Sequence, residues 1–279
     1  MAHALIFGAS GISGWALLNQ LRTYPTTTAF SRITAVTNRP YSLQQAQIPQ
    51  DDRIVIASGV DLRKTPEQVA ETIRGKVSDA ETVTHVFFAA YIQEDNYDAP
   101  TVWLGKGAVV PYPGHMHGYH AKHGDTFQDI LARMEIHTAL HPEICGNGQA
   151  FNITDAQKPV TWAELWPKLC EHFGLVGSKP SESPQDLGAF VKRHEDVWRA
   201  IAKKYGLNEE LVAQQGWGHT QYMIVDFDFD RQMDLSKARS VGFEEEIDTA
   251  QGYLIAWERM RAAKILPPRE ALDTLQSRI

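Results

Sequence analysis

Gly8-Ala9-Ser10-Gly11-Ile12-Ser13-Gly14 follows directly on the apolar run Ala4-Leu5-Ile6-Phe7 and opens the helical pattern Trp15-Ala16-Leu17-Leu18-Asn19-Gln20-Leu21. Strand, glycine turn and helix, in that order, are the context a dinucleotide-binding fingerprint requires. The first glycine permits the tight turn, and the second lets the backbone approach a pyrophosphate. The third lets helix and strand pack closely, while the helix N-terminus offers unpaired N–H groups to the anion. An ordinary glycine turn does not need three glycines at this spacing. The stretch therefore predicts a nucleotide site built from Gly8, Ser10, Gly11, Ile12 and Gly14.

Working outward, Ile33–Thr37 and Arg53–Ala57 read as the second and third strands, and Thr65–Lys76 as a helix. Thr84–Ala90 reads as a fourth strand, apolar on both faces as a buried parallel strand should be. This alternation predicts an α/β fold, a Rossmann-type doubly wound parallel sheet. After Tyr91 the rhythm changes, and Gln93–Gly124 is rich in His, Pro, Gly and Tyr. Helices are expected over Thr126–Leu140 and Trp162–Phe173, with Thr161 as N-cap three residues before Glu164 and a short strand at Ala150–Ile153. Gly177–Gln185 is linker-like. Helices follow at Leu187–Tyr205 and Asn208–Gln214, a strand at Tyr222–Phe227, and a long helix at Ile247–Ile265. Residues 1–100 are expected to form the dinucleotide-binding portion, and 101–279 a mostly helical substrate-binding portion and lid.

Composition narrows the partners. The chain has 279 residues, 43% of them hydrophobic and 22% charged, with a formal net charge of −7. That balance speaks against nucleic acid or an anionic membrane as partner. No apolar run approaches the length of a membrane-spanning helix, and the chain enters a strand at once without a signal-peptide pattern. Two cysteines, Cys145 and Cys170, suit a reducing compartment, so cytoplasm is expected.

The cofactor is read from the end of the second strand. NAD-binding proteins place an acid there for the ribose hydroxyls. Here the strand ends in Thr37-Asn38-Arg39-Pro40, with no acid and one arginine. Arg39 can pair with a 2′-phosphate that a carboxylate would repel, so NADP(H) is expected over NAD(H), with Asn38 and Arg39 in the site. Asp61 and Leu62 are expected beside the adenine, and Ala89 at the nicotinamide end.

The chain resembles the progesterone 5β-reductase/iridoid synthase-like branch of the extended short-chain dehydrogenases, especially its fungal members. The resemblance rests on Gly8–Gly14, Thr37–Pro40, Thr84–Phe88, Pro113-Gly114, Phe151-Asn152 and Trp162…Trp166. It continues through Val197-Trp198, Ser236–Arg239, Gly242-Phe243 and Trp257…Pro267. It implies NADPH-dependent reduction of an activated carbon–carbon double bond, in an enone or enal, or of a carbonyl. It also implies a hydrophobic small-molecule substrate of secondary metabolism. In that family a lysine and a tyrosine in a Y-x-x-E-D context hold the substrate oxygen while charge develops on it. The stretch that carries them is absent here, falling between the fourth strand and Trp103. A cofactor-binding pseudoenzyme, or a non-redox isomerase or cyclase, is accordingly the alternative.

Replacement chemistry has few candidates. Tyr91-Ile92-Gln93-Glu94-Asp95 matches Y-x-x-E-D and makes Tyr91 the candidate oxyanion donor. Tyr119 and Lys122 would share a helical face, where the ammonium would lower the phenol pKa. His115, His117, His120 and His123 are dense, but their spacing and the lack of nearby cysteines predict no metal. Asp226, Asp228 and Asp230 would share one side of a strand, and Trp162, Trp166 and Leu169 read as core. Trp103, Tyr112, Tyr119, Trp198, Trp217 and Tyr222 would suit an apolar substrate pocket. Without its usual neighbour the fourth strand would expose an apolar edge that allows a homodimer.

Overall fold

The computed structural model describes residues 2–77, 79–90, 107–146, 148–269 and 271. They group into two units interleaved along the chain. The first comprises residues 1–92, 126–154 and 234–245, the second 93–125, 155–233 and 246–279.

In the first unit, β1 (Ala2–Phe7), β2 (Phe30–Thr37), β3 (Ile54–Ser58) and β4 (His85–Phe88) form one parallel sheet in the order β3-β2-β1-β4. Isoleucine, valine and threonine dominate β2 and β3, as expected of side chains whose stiff χ1 angles suit a pleated surface. Register aligns Ile6 with Ala35 on one side and with Phe87 on the other. Side-chain alternation then sends Ala4 and Ile6 to one face and Leu5 to the other. Leu17 and Leu18 of α1 (Ile12–Gln20) and its C-cap Leu21, with Ala132 and Ile136 of the helix Gln128–Leu140, complete the first core. Leu5, Val36 and Ala57 pack beneath Val69 and Ile73 of α2 (Pro66–Lys76) on the opposite face. Each fully buried leucine contributes about 1.5–3 kcal/mol. The sheet is doubly wound, an α/β Rossmann fold as expected.

Residues from late in the chain complete this unit. Arg133 Nη1 meets Glu245 Oε2 at 2.6 Å, its Nε donates to Gln20 Oε1 at 2.9 Å, and His137 Nε2 lies 2.8 Å from the Val241 carbonyl. The strand expected at Ala150–Ile153 does not form. There, Thr126 Oγ1 donates to the Ile153 carbonyl and Asn152 Nδ2 to the Asp234 carbonyl.

β4 is not buried on both faces. Phe87 packs into the core, but Val86 is 59% and Phe88 69% exposed on the opposite face, and among the described residues β4 pairs only with β1.

The second unit is built around the helix Trp162–His172. Its start is fixed by the expected capping box, in which Thr161 Oγ1 accepts from Glu164 N while the Glu164 carboxylate accepts from Thr161 N. Trp162, Leu165 and Leu169 face the helix Thr249–Ala262, capped by Asp248, which contributes Trp257. A parallel pair joins Val109–Pro111 to Val176–Ser178, and an antiparallel pair joins Lys122–His123 to Val160–Thr161.

Three expectations for this unit are corrected. Leu187–Tyr205 breaks at His194 into Leu187–Arg193 and Glu195–Tyr205. Lys192-Arg193 suits a helix C-terminus and Glu195-Asp196 an N-terminus, so two helix dipoles are served instead of one. Asn208–Gln214 yields only a 3₁₀ turn at Val212–Gln214. Tyr222–Phe227 is not a strand: Gln221–Asp226 is a π-helical turn continuing the helix Trp217–Thr220. A run of four apolar residues fits either state, and only its packing decides.

Candidate functional site

At the end of β1 the chain turns on Gly8, whose φ of +78° is strained for any residue with a Cβ. The amides of Gly8 and Ala9 donate to the Val36 carbonyl at 3.1 and 3.3 Å, tying the turn to β2. The three glycines have different reasons to be glycine. A Cβ on Gly8 would lie 2.6 Å from Ala90 Cα, and one on Gly14 2.1 Å from the Gly8 carbonyl oxygen. Both permit close packing. A Cβ on Gly11 would make only an ordinary 3.4 Å contact with Gly8 O, so no neighbouring side chain requires that glycine. Gly11 is the N-cap of α1, and no side chain caps that helix terminus. Ser10 and Ile12 beside it are exposed. The result is an open backbone cradle at a positive helix end, which fits a pyrophosphate.

The neighbouring strand ends bring the other expected cofactor residues to the same edge of the sheet. Thr37 Oγ1 donates to the Arg39 carbonyl at 2.8 Å and lies 3.0 Å from Ser58 Oγ, which fixes the turn after β2 against the end of β3. Asn38 and Arg39 are exposed, and no ion pair holds Arg39 among the described residues. Asp61 is gripped by Arg63, with Nε to Oδ1 at 2.9 Å and Nη2 to Oδ2 at 2.8 Å. Those bonds pull its carboxyl down to about 2. Leu62 is exposed beside it. Ala89 donates its amide to the Phe7 carbonyl at 3.0 Å, which places it next to the glycine turn.

The candidate catalytic residue Tyr91 lies outside the described residues, as does Trp103. Tyr119 and Lys122 do not share a face. Tyr119 is buried with its ring 5.4 Å from that of Tyr112, Lys122 is exposed, and burial raises the Tyr119 phenol pKa. His115, His117 and His120 are exposed while His123 is buried. Among the described residues no three His, Cys, Asp or Glu side chains converge on a metal position. Asp226, Asp228 and Asp230 also diverge: Asp226 accepts from Gln221, Asp228 approaches His117, and Asp230 caps the Lys122 amide. No helix of the described residues is long and apolar enough to cross a membrane.

The apolar pocket has different walls from those expected. In the second unit a cavity of about 90 Å³ is lined by Trp162, Trp166, Phe173, Tyr253 and Trp257, with Cys170 at its wall. Trp162, Trp166 and Leu169, read as core from their spacing, all border it. Tyr112 and Tyr119 are packed into the neighbouring core, and the Tyr112 hydroxyl donates to the Ile224 carbonyl. Trp198 is buried with its indole on Glu209 O, Trp217 donates to Val212 O, and Tyr222 faces solvent.

Sequence reading also missed a polar group behind this cavity. Tyr253 Oη donates to Asp125 Oδ2 at 3.0 Å, and His123 Nε2 lies 3.7 Å from the same oxygen. Tyr253 falls on the cavity-facing side of a regular helix, so its spacing carries no signal beyond core.

Comparison with known proteins bears on this geometry. A family profile described as "PRISE-like Rossmann-fold domain" matches residues 4–104 and 102–267. The chain belongs to this family. The short chain dehydrogenase sirR of Leptosphaeria maculans is 25% identical over 401 aligned positions, covering 97% of this chain and 98% of that protein. Because the chain has 279 residues, a long block of that relative has no counterpart here. The two stretches of the family match meet at residues 102–104, after β4. The (S)-8-oxocitronellyl enol synthase of Catharanthus roseus is 22% identical over 178 residues, 60% of this chain and 42% of that protein. The 3-oxo-Delta(4,5)-steroid 5-beta-reductase of Arabidopsis thaliana is 24% identical over 166 residues, 58% of this chain and 41% of that protein. Membership in this short-chain dehydrogenase/reductase family, with its Rossmann fold, implies a nucleotide cofactor.

Proposed function

We propose that the chain binds NADP(H) on the glycine edge of the first unit and reduces an activated C=C bond, or a carbonyl, of a hydrophobic small molecule. The observation that carries this reading is Gly11, a glycine that packing does not require, at a helix N-terminus without a side-chain cap, with Arg39 exposed at the end of the adjacent strand and in no ion pair among the described residues. The α1 amides and the Gly11 backbone would receive the pyrophosphate, and Arg39 the 2′-phosphate. Asp61, already paired with Arg63, would accept a hydrogen bond from the adenine amino group. NADPH supplies a hydride when bound. The protein's share of the reaction is to hold the substrate oxygen where negative charge develops, the task for which Tyr91 is the candidate. The relatives' names, an enol synthase and a steroid 5-beta-reductase, support the substrate class.

The test is NADPH consumption with a panel of enals and cyclic enones, for the natural chain and for Tyr91→Phe. Turnover lost with the hydroxyl supports Tyr91 as donor. Turnover unchanged by the substitution removes Tyr91 from the chemistry. NADPH binding with no turnover overturns the reductase and leaves a cofactor-binding protein.

A further inference from the structure

The strongest unassigned feature is the cavity of the second unit with the polar group behind it. Its walls are aromatic: Trp162, Trp166, Phe173 and Trp257 surround a space of about 90 Å³, well above the roughly 10–15 Å³ that one water needs. A cavity so lined gives water too few polar partners, and suits a flat apolar ring. Its polar groups are mostly committed. Trp166 donates its indole N–H to the Val110 carbonyl at 2.9 Å, and burial pushes the Cys170 thiol up to about 11, keeping it protonated and unreactive.

Tyr253 is different. Its hydroxyl proton is directed at Asp125 Oδ2, 3.0 Å away, and burial next to that carboxylate holds the phenol far above its ordinary pKa. The hydrogen bond runs from the tyrosine hydroxyl to the carboxylate oxygen, so its proton is the tyrosine's. The Tyr253 oxygen therefore has lone pairs to offer and no proton to spare. His123 Nε2 lies 3.7 Å from the same carboxylate oxygen. The histidine is 2% exposed, its ring lies tilted 5.0 Å from that of Trp162, and its Nε2 has no hydrogen-bond partner among the described residues. Asp125 engages the Tyr253 hydroxyl proton, which leaves the phenol oxygen as an acceptor.

We propose that this cavity binds a small phenol, its ring between the tryptophans and its hydroxyl donating to Tyr253 Oη. The site selects a ligand that brings a hydrogen-bond donor, and discriminates against one of the same shape without it. It is complete within the second unit and does not depend on the nucleotide reading.

The experiment is titration of the full chain with phenol and with anisole, followed by tryptophan fluorescence. Anisole keeps the ring and the oxygen but lacks the donor, and it leaves water more readily. Partitioning alone would therefore favour anisole. The proposal expects phenol to bind saturably and at least several-fold more tightly than anisole. Tyr253→Phe should abolish that preference, and Leu169→Trp, which fills the cavity, should remove binding of both. Anisole binding as tightly as phenol, no saturable change with phenol, or a preference that survives in a folded Tyr253→Phe protein each overturns it. Benzene, smaller than phenol and likewise without a donor, should also bind more weakly to the natural chain, and benzene binding as tightly as phenol overturns the proposal even if neither variant folds.

Discussion

Arg39 and His3 show how single side chains set behaviour at opposite ends of the sheet. Arg39 is the cation at the end of β2 where an NAD-selective protein has an acid. Arg39→Glu is expected to weaken NADPH binding by about 1–3 kcal/mol while leaving NADH nearly unchanged, measured by titrating both nucleotides. Equal losses for the two would detach Arg39 from the 2′-phosphate. His3 is buried in β1, with Nδ1 2.8 Å from Thr82 Oγ1 and Nε2 2.8 Å from Thr34 Oγ1. Burial lowers its pKa from 6.5, and burial likewise lowers those of His85, His123 and His172. Unfolded histidines take up protons near 6.5, while these folded ones resist until lower pH. Between the two values the unfolded chain holds more protons. Stability is therefore fully present above about pH 6.5 and declines as pH falls below it. The carboxylates whose pKa values are depressed, Asp51, Asp61 and Asp234 from 3.8 and Glu164, Glu210 and Glu258 from 4.5, add their losses only below those ordinary values. Urea denaturation at pH 8 and pH 5.5 should show the decline, and His3→Asn should reduce it. A flat profile would contradict the buried neutral rings.

At the scale of elements, β4 carries the main consequence of the shortened chain. The family match divides after it, and Val86 and Phe88 stand exposed on a strand that, among the described residues, has no neighbour on its outer edge. Such edges promote association. The chain is expected to form concentration-dependent dimers or larger species, and Phe88→Lys to shift it toward monomer without lowering its melting temperature, as read by light scattering and calorimetry. A monomer at all concentrations would show that the edge is covered. The elements legible in the sequence were those with punctuation as well as pattern. β1 to β4 and α1 were legible because glycines and β-branched runs delimit them, and Trp162–His172 because Thr161 and Glu164 mark its start. The break at His194 was hidden because both halves have helical spacing. The π-helical turn was hidden because Tyr222–Val225 is too short to show a period. Burial of β4 was misjudged because a strand's own residues do not reveal whether a neighbour exists.

For the whole molecule, the two interleaved units divide what the sequence could and could not convey about function. The glycine edge is local: the expected cofactor residues lie in short turns after consecutive strands, so their assembly follows from the sheet order. The aromatic cavity is not local. Its walls come from residues 110, 162–175, 224 and 253–257, and their helical spacing is that of any core. The proposed activity depends first on the nucleotide being held. Gly11→Val tests this most directly, because a Cβ there meets only one ordinary contact in the fold, whereas one at Gly8 or Gly14 would clash with backbone. The measurement is a fluorescence titration of NADPH against the natural chain and Gly11→Val, with circular dichroism confirming that both are folded. The account predicts saturable binding to the natural chain and none to the folded variant. Retained binding in the folded variant, or no binding to either, would contradict it.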